Sequence, residues 1–392
     1  MAKKLRILFP YVEAGIGHIM PMKAFVNEFS KKYGDEFEIV EVNFFKDAND
    51  KDLLKYEKWY CDSVRNFAKF PIYGHLTTTV AKMTPIKIVN WFMMKATCPK
   101  VYKKAIKQME DYEADIVFST HWATNYYAMH SKNHPYSIMY CPDCTLNHAF
   151  DYDSSLSIIS TKIGYEKGLK NKRRYNKKNL KQSSFLIRPE AFEVPFDKYE
   201  NRKNLNLPLD KFTIMMMEGG YGVGKMKYLC EQLVKENLNI TIVAACGKNE
   251  ELYEYLNSLE VNSNVTFVPL RMTEHILAYI ASCDLFVGKG GNSIAEPTFF
   301  GHPSIITTLS TGIELDIANF YAKNVGCAII SLYNLKTLKL IRNFINNPAL
   351  LKEYEKNALL DHDRYGCKPC VDLVYHEIQK WKEGRQIWYY LP

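Results

Sequence analysis

Short apolar runs separated by longer amphipathic stretches recur along the whole chain. In the first half, LRILFPY, FEIVEVNFF, DIVFST, YSIMYCP and LSIIST read as strands buried on both faces, the kind that parallel sheets use. Between the first two, EAGIGHIMP reads as a turn, and MKAFVNEFSKKYG has helical spacing with a glycine stop. The stretch IRPEAFEVPFDKYENRKNLNLP, rich in proline and charge, marks a boundary. Beyond it FTIMMM is a strand, EGGYGVGK a glycine-rich turn and MKYLCEQLVKEN a helix. NITIVAACG, NVTFVPL and CAIISL continue as strands, with ELYEYLNSL, HILAYIASC and LKTLKLIRNFINN as helices. This alternation predicts an α/β protein of two doubly wound domains, 1–192 and 193–370, with an amphipathic helix and aromatic tail at 371–392. The C-terminal helix is expected to return to the N-terminal domain. Two such domains would face a cleft at the C-terminal ends of their strands, where ligands of this architecture bind.

The most informative stretch runs from Asp284 to Phe320. It predicts a buried strand over Leu285 to Gly288, a glycine turn over Lys289 to Asn292, and a helix opening at Ser293. Unpaired N–H groups at such a helix start suit a phosphate. Glu296, one turn in, is then in reach of a ribose. The plainer reading is that the glycines only turn the chain and Glu296 caps the helix.

Composition narrows the field. A chain of 392 residues, 47% apolar and 24% charged, is a soluble globular protein of two or three domains. Much of the net charge of +8 lies in Lys162–Lys181. That cluster is a solvated face, a patch for anionic lipid headgroups or a nucleic-acid surface; no nucleic-acid signature accompanies it, so no nucleic-acid partner is expected. Between Tyr56 and Lys107, Trp59, Tyr60, Phe67, Phe70, Tyr73, Trp91, Phe92, Met93 and Met94 interleave with Lys69, Lys82, Lys87, Lys95 and Lys100. These suit either helix cores or an interfacial surface. The apolar run at the N-terminus is too short for a signal peptide and reads as a first strand, and no run is long enough to cross a bilayer. Ten scattered cysteines without framework spacing point to a reducing cytosol. Cys141/Cys144 and Cys367/Cys370 are ordinary thiols on this reading, with a zinc site or redox dithiol as the alternatives.

The second half carries a recognisable order of motifs. The glycine turn after FTIMMM, then ACGKNEELYEYL, CDLFVGKGGNSIAE, and TGIELDIANFY with NVGCAII, resemble the diacylglycerol glycosyltransferases. Those are the bacterial processive diacylglycerol glucosyltransferase and plant monogalactosyldiacylglycerol synthase, with the peptidoglycan transferase that builds lipid II as a more distant relative. In the first half, AGIGHIMPMKAF matches the family's glycine-glycine-histidine turn, MYCPDC its strand ending in Asp, and LIRPEAF the segment entering the linker. The resemblance implies a GT-B fold and an inverting, metal-independent transfer with no cofactor. It implies a UDP-sugar held by the C-terminal domain and a diacylglycerol or related lipid held by the N-terminal one. Gly219, Gly220, Gly222 and the Gly290, Gly291, Asn292, Ser293 turn would face the diphosphate, and Glu296 the ribose. The strand end from Val268 through Leu270 and Arg271 to Met272 would hold uracil through its backbone, with Glu314 and Asn319 near the donor sugar. Gly15 and Gly17 would line the acceptor site; His121, in STHWAT at another strand end, either lines it too or is a satisfied structural histidine. Ile313 stands where the family carries Gln, and the turn from Lys289 to Glu296 is one residue shorter than usual, which leaves the sugar open.

Transfer to a hydroxyl needs a base and positive potential on the departing UDP. His18 is the leading base, because a near-neutral pKa suits the task. Asp143 is the second candidate, as the base or as a carboxylate that orients His18 or an acceptor hydroxyl. Lys225, and less strongly Lys289, would act as point charges beside the diphosphate. The expected setting is the cytoplasmic face of an anionic membrane, touched peripherally. The rivals are a transferase with a soluble or polyprenyl-linked acceptor, a UDP-sugar epimerase on the same fold, and a non-catalytic binding protein.

Overall fold

The structure is a computed structural model and describes residues 4–13, 16–69, 76, 99–146, 154–172, 175–219, 222, 224–360 and 362–389. The chain forms two compact units, each built on one six-stranded sheet.

The first unit holds β1 (Leu5–Tyr11), β2 (Phe37–Asn43), β3 (Ile116–Ser119), β4 (Tyr136–Cys141), β5 (Leu156–Ile159) and β6 (Leu180–Gln182). Every pairing is parallel, in the order β2-β1-β3-β4-β5-β6. Parallel strands need crossovers, and helices supply them: α1 (Ile16–Tyr33), α2 (Lys51–Lys69), α3 (Pro99–Asp111), α4 (Trp122–His130) and α5 (Lys162–Lys170). The central strands are buried along their length, which is why they read as unbroken apolar runs.

The second unit holds α6 (Lys198–Asn204), β7 (Phe212–Met217), α7 (Met226–Leu233), β8 (Ile240–Gly247), α8 (Glu250–Asn257), β9 (Val265–Arg271), α9 (Ile276–Ala281) and β10 (Leu285–Lys289). It continues with α10 (Ala295–Phe299), β11 (Ser304–Thr308), α11 (Gly312–Asn319), β12 (Ala328–Ile330), α12 (Asn334–Asn346) and α13 (Pro348–Leu359). Its sheet, β12-β11-β10-β7-β8-β9, is again wholly parallel. Taken from β7 as first strand, that is the 3-2-1-4-5-6 order of dinucleotide-binding folds. Two such α/β domains make a GT-B fold.

From Asp363 the chain belongs to the first unit again, and α14 (Lys368–Tyr389) packs there. Cys370, Val371, Val374 and Ile378 are buried in one core with Phe9, Phe25, Phe29 and Phe118. Tyr375 stacks on Tyr33 at 3.8 Å, and Trp381 on Tyr136 at 5.1 Å. Covering a helix stripe of this size contributes several kcal/mol, at about 1.5–3 kcal/mol for each fully buried aliphatic or aromatic side chain.

Two local readings of the sequence change. The turn expected over EAGIGHIMP is largely helix, because α1 begins at Ile16 and contains Pro21. Proline has no N–H for the helical ladder, so Pro21 leaves one bond of the opening turn unmade, and Gly17 and His18 sit in that turn. Side-chain bonds from β3's end hold that turn, which spacing alone does not reveal. The helix expected at Ser293 is shorter than its pattern suggests. Asn292–Ile294 form a 3-10 turn and α10 has only five residues. A helix of one turn carries little macrodipole, so the dipole contribution expected there is small.

Candidate active site

Ligands of doubly wound sheets bind where the strand order reverses. In the first unit that point lies between β1 and β3. The chain leaving β1 enters the opening turn of α1 with His18; the chain leaving β3 is Thr120-His121, which caps α4. Two hydrogen bonds join them: Thr120 Oγ1 donates to the His18 carbonyl at 2.7 Å, and His18 Nδ1 donates to the Thr120 carbonyl at 3.1 Å. A carbonyl only accepts, so Nδ1 bears the proton and the lone pair of the neutral ring lies on Nε2. That is the tautomer a general base requires. The near-neutral pKa expected for His18 is corrected: burial disfavours the imidazolium and pushes it down to about 4, against the smaller upward pull of the Thr120 carbonyl. His18 is therefore ready to accept a proton at neutral pH but is a weaker base than expected.

His121 is fixed in the opposite tautomer. As N-cap of α4 its Nδ1 accepts from Ala123 N at 3.2 Å, so its Nε2 bears the proton and donates to Tyr60 Oη at 3.2 Å. The two imidazoles meet edge to face with centroids 5.2 Å apart. Burial first, and His18 second, hold His121 well below the ordinary value. Burial pushes the Tyr60 phenol up to about 12, against a smaller downward pull from the Trp122 side chain. Tyr60 stacks over the buried Tyr56 on α2.

Asp143 is buried in the turn after β4, where its backbone carbonyl accepts from Cys141 Sγ. The group that orients His18 Nδ1 is the Thr120 carbonyl, where a carboxylate was the expected alternative. Gly17 lies in α1 beside His18; Gly15 lies outside the described residues. Of the aromatic–lysine segment, Tyr56 is core and Trp59 is 52% exposed. Phe70, Tyr73, Lys82, Lys87, Trp91, Phe92, Met93, Met94 and Lys95 lie outside the described residues, as do the side chains of Phe67, Lys69 and Lys100. In the basic cluster, Gly164 and Gly168 face inward on α5, where a Cβ would meet Ile159 and Leu180, while Lys162, Lys167, Lys170, Lys172, Lys177 and Lys178 are exposed. Both cysteine pairs are buried free thiols, with Cys367 Sγ donating to the Ile187 carbonyl at 3.3 Å. Among the described residues no cluster of three His, Cys, Asp or Glu side chains has metal-binding geometry.

The switch point of the second unit lies between β7 and β10. β7 runs into Glu218 and a tight turn in which Gly222 N donates to the Gly219 carbonyl at 3.2 Å. Gly219 (φ +74°) and Gly222 (φ +58°) occupy left-handed backbone that side chains resist, which is the physical reason for glycine there. Gly220 lies outside the described residues. Glu218, which spacing did not single out, is the anchor of this turn. It is buried, and its Oε1 accepts from Thr307 Oγ1 of β11 at 2.5 Å and from Lys225 N at 3.3 Å. A Cβ on Gly224 would lie 2.4 Å from its carboxylate. Burial pushes the Glu218 pKa up. The available signal was a charge placed directly after the apolar run FTIMMM.

Lys225 precedes α7, and its Nζ bonds to the Leu332 carbonyl. Across the switch point, a bulge at Gly288/Lys289 in β10 re-aims Lys289, whose Nζ pairs with Glu314 Oε1 at 2.7 Å. Glu314 Oε2 accepts from Ser310 N at 2.5 Å, and Thr311 caps α11 by accepting from Glu314 N. Glu314 is thus tied to the end of β10, beside the Gly290 turn. Within that turn the glycines differ. Gly290 N donates to the Thr308 carbonyl at 2.8 Å, and a Cβ there would sit 2.3 Å from Leu309. At Gly291 a Cβ would meet nothing within 4 Å. Asn292 and Ser293 follow in the 3-10 turn, and Glu296 sits half-buried in the first turn of α10. On the edge strand β9, Leu270 pairs with Ala245; the Arg271 guanidinium lies on the Tyr253 ring and pairs with Glu250 and Glu254, and Met272 is exposed. Asn319 bonds back to the Leu315 carbonyl of its own helix.

The described features of both units have counterparts among known proteins. The family model of monogalactosyldiacylglycerol (MGDG) synthase matches residues 18–145, the stretch holding His18, Thr120, His121 and Asp143. The processive diacylglycerol beta-glucosyltransferase of Bacillus subtilis is 32% identical over 181 residues, 46% of this chain and 47% of that one. Its Staphylococcus aureus namesake (strain bovine RF122 / ET3-1) is 22% identical over 375 residues, 93% of this chain and 92% of that one. Over these stretches the chain is similar to the diacylglycerol glycosyltransferases. The alignment with the B. subtilis relative spans only about half its length. Among solved structures, a UDP complex of S. aureus MnaA shares the fold with a TM-score of 0.60 at 12% identity, covering 97% of both chains.

Proposed function

We propose that this chain is an inverting, metal-independent glycosyltransferase that moves a hexose from a UDP-sugar to diacylglycerol or a related membrane lipid. The observation that carries the reading is the His18–Thr120 pair, within the stretch matched by the family model. Its Nδ1–H is held by a carbonyl, so Nε2 takes the proton of the acceptor hydroxyl as that oxygen attacks the anomeric carbon. The same carbonyl then stabilises the imidazolium. A single displacement inverts the anomeric centre, and UDP leaves with the bonding pair.

The donor half of the reading rests on the second unit's glycine turns. Backbone N–H groups of the Gly219–Gly222 and Gly291–Ser293 turns would face the diphosphate, with Lys289 and Lys225 as the adjacent cations. Glu296 would receive the ribose hydroxyls, the end of β9 the uracil, and Glu314 with Asn319 the sugar. The acceptor half adds Gly15, Gly17 and His121, with Asp143 on the same side of its sheet. The exposed lysines of α5 and the following loop, with Trp59, suit peripheral contact with anionic lipid, worth about 1 kcal/mol per basic residue near the surface. No helix among the described residues is long and apolar enough to cross a membrane.

The test is UDP release from UDP-glucose and UDP-galactose, with and without diacylglycerol in anionic vesicles, repeated in EDTA. Lipid-dependent release that His18→Ala abolishes and EDTA leaves unchanged supports the reading. Release that ignores lipid removes the acceptor assignment, loss in EDTA removes metal independence, and release unaffected by His18→Ala removes the base.

A further inference from the structure

Hydrogen positions around Tyr60 follow from the valences of its neighbours. His121 Nδ1 accepts from a backbone N–H, so Nε2 must donate, and Tyr60 Oη must accept it. The Trp122 ring meets the Tyr60 ring edge to face, with centroids 6.5 Å apart. A phenol oxygen that accepts from His121 keeps its own O–H to donate. Among the described residues none accepts it. The His121 donor pulling on Oη also polarises that O–H and makes it a stronger donor.

This donor sits in a neutral, largely apolar setting. Tyr60 is half-buried against Tyr56 and meets His121 edge-on with centroids 5.8 Å apart, and His121 in turn meets His18 at 5.2 Å. Both imidazoles are held uncharged by burial. Among the described residues no cation stands beside Tyr60 to meet a phosphate or carboxylate, whereas a neutral oxygen that only accepts would complete the network. We propose that the Tyr60 hydroxyl, aimed by His121, donates to an ester carbonyl of the acceptor while the acceptor's free hydroxyl lies against His18. The inference rests on the lipid-acceptor reading above and adds what tells an ester-bearing acceptor from other alcohols. A site built to donate to one substrate oxygen discriminates strongly against an analogue lacking it, because the buried donor is left unpaired.

The experiment compares diacylglycerol with the dialkylglycerol ether of equal chain length, which keeps the hydroxyl and loses both carbonyls. It uses the full chain, wild type and Tyr60→Phe, in anionic vesicles. Tyr60→Phe deletes one oxygen and leaves the ring contacts in place. Wild type is expected to favour the diester by about tenfold in kcat/KM. Tyr60→Phe is expected to fall to the ether's rate on the diester, to stay within about twofold of wild type on the ether, and to keep its donor KM. A Tyr60→Phe enzyme that retains the preference overturns the inference. So does one that falls equally on both lipids, since the hydroxyl would then only orient His121. Wild type that works on both lipids without preference overturns Tyr60 alone; wild type that transfers to neither overturns the transferase reading and this inference together.

Discussion

At the switch point of the first sheet the described hydrogen bonds link neutral groups: two imidazoles, a phenol, a threonine hydroxyl and backbone carbonyls. At the switch point of the second, the side chains are charged: Glu218 under one glycine turn, and Lys289 with Glu314 beside the other. The same topology thus prepares two environments. In the first, burial removes charge from histidine and hydrogen-bond valence fixes where each proton sits. In the second, left-handed glycines shape backbone and ion pairs fix its edges. The contrast matches what the two halves of a glycosyl transfer require, an uncharged alcohol to be deprotonated and an anionic leaving group to be accommodated.

The comparison is broken most directly at His18. Replacing it with alanine is expected to lower kcat by about 10²–10⁴, the usual contribution of a positioned base, while UDP affinity stays within about twofold. Titration calorimetry with UDP beside the rate assay separates the two. Equal loss of both would mean that the two units do not divide the work in this way.

Acid should strike both units through the same mechanism. His18 and His302 are each pushed by burial from 6.5 to about 4, and His302 Nε2 donates to the Ala281 carbonyl at 3.1 Å. The unfolded chain takes up these protons near the ordinary value while the folded chain resists until about 4. Stability therefore falls as pH drops through that window and levels off below it, by roughly 3 kcal/mol per group. Chemical denaturation at a series of pH values checks this. In His302→Gln, a pH slope as steep as wild type would show that this histidine is not the source.

Glu218 sharpens the contrast from the other side. Glu218→Ala strips the acceptor from Thr307 Oγ1 and Lys225 N, and should cost about 1–3 kcal/mol and weaken UDP binding. Glu218→Gln keeps an amide oxygen in place and should recover most of both. An alanine variant as stable as wild type would remove Glu218 from its anchoring role. His18, on this view, would be untouched by either change.

How much of this was legible in the chain depends on the kind of interaction. The two parallel sheets followed from apolar runs, because strands covered on both faces cannot be polar. His18 was legible as chemistry but not as geometry. Gly15, Gly17 and Pro21 all argue against helix, whereas Thr120, more than a hundred residues away, hydrogen-bonds the opening turn. The His18 pKa was misjudged for the same reason, since burial is a tertiary property. Tyr60 looked like one more aromatic of an interfacial segment, and its role emerges only once His121 is seen to cap α4. Glu218 was passed over because the glycines after it carry the familiar pattern. Its partner Thr307 lies on another strand, and no local spacing links them.

The smallest effect on stability is expected at Gly291, and it separates two uses of glycine within one turn. Gly290 is packed: its N–H is in the sheet ladder, and any Cβ would run into Leu309 and Ile306. Gly290→Ala should therefore destabilise the second unit whether or not a ligand exists. Gly291 has extended backbone (φ −161°) open to any residue, and a Cβ there meets only space. Gly291→Ala should leave the thermal midpoint close to wild type, within about 0.5 kcal/mol. If that space is where a diphosphate approaches the backbone, the added methyl must nonetheless weaken UDP binding. A variant with unchanged stability and reduced UDP affinity would locate the ligand at this turn. Unchanged affinity would leave the Gly219–Gly222 turn to hold the diphosphate without it.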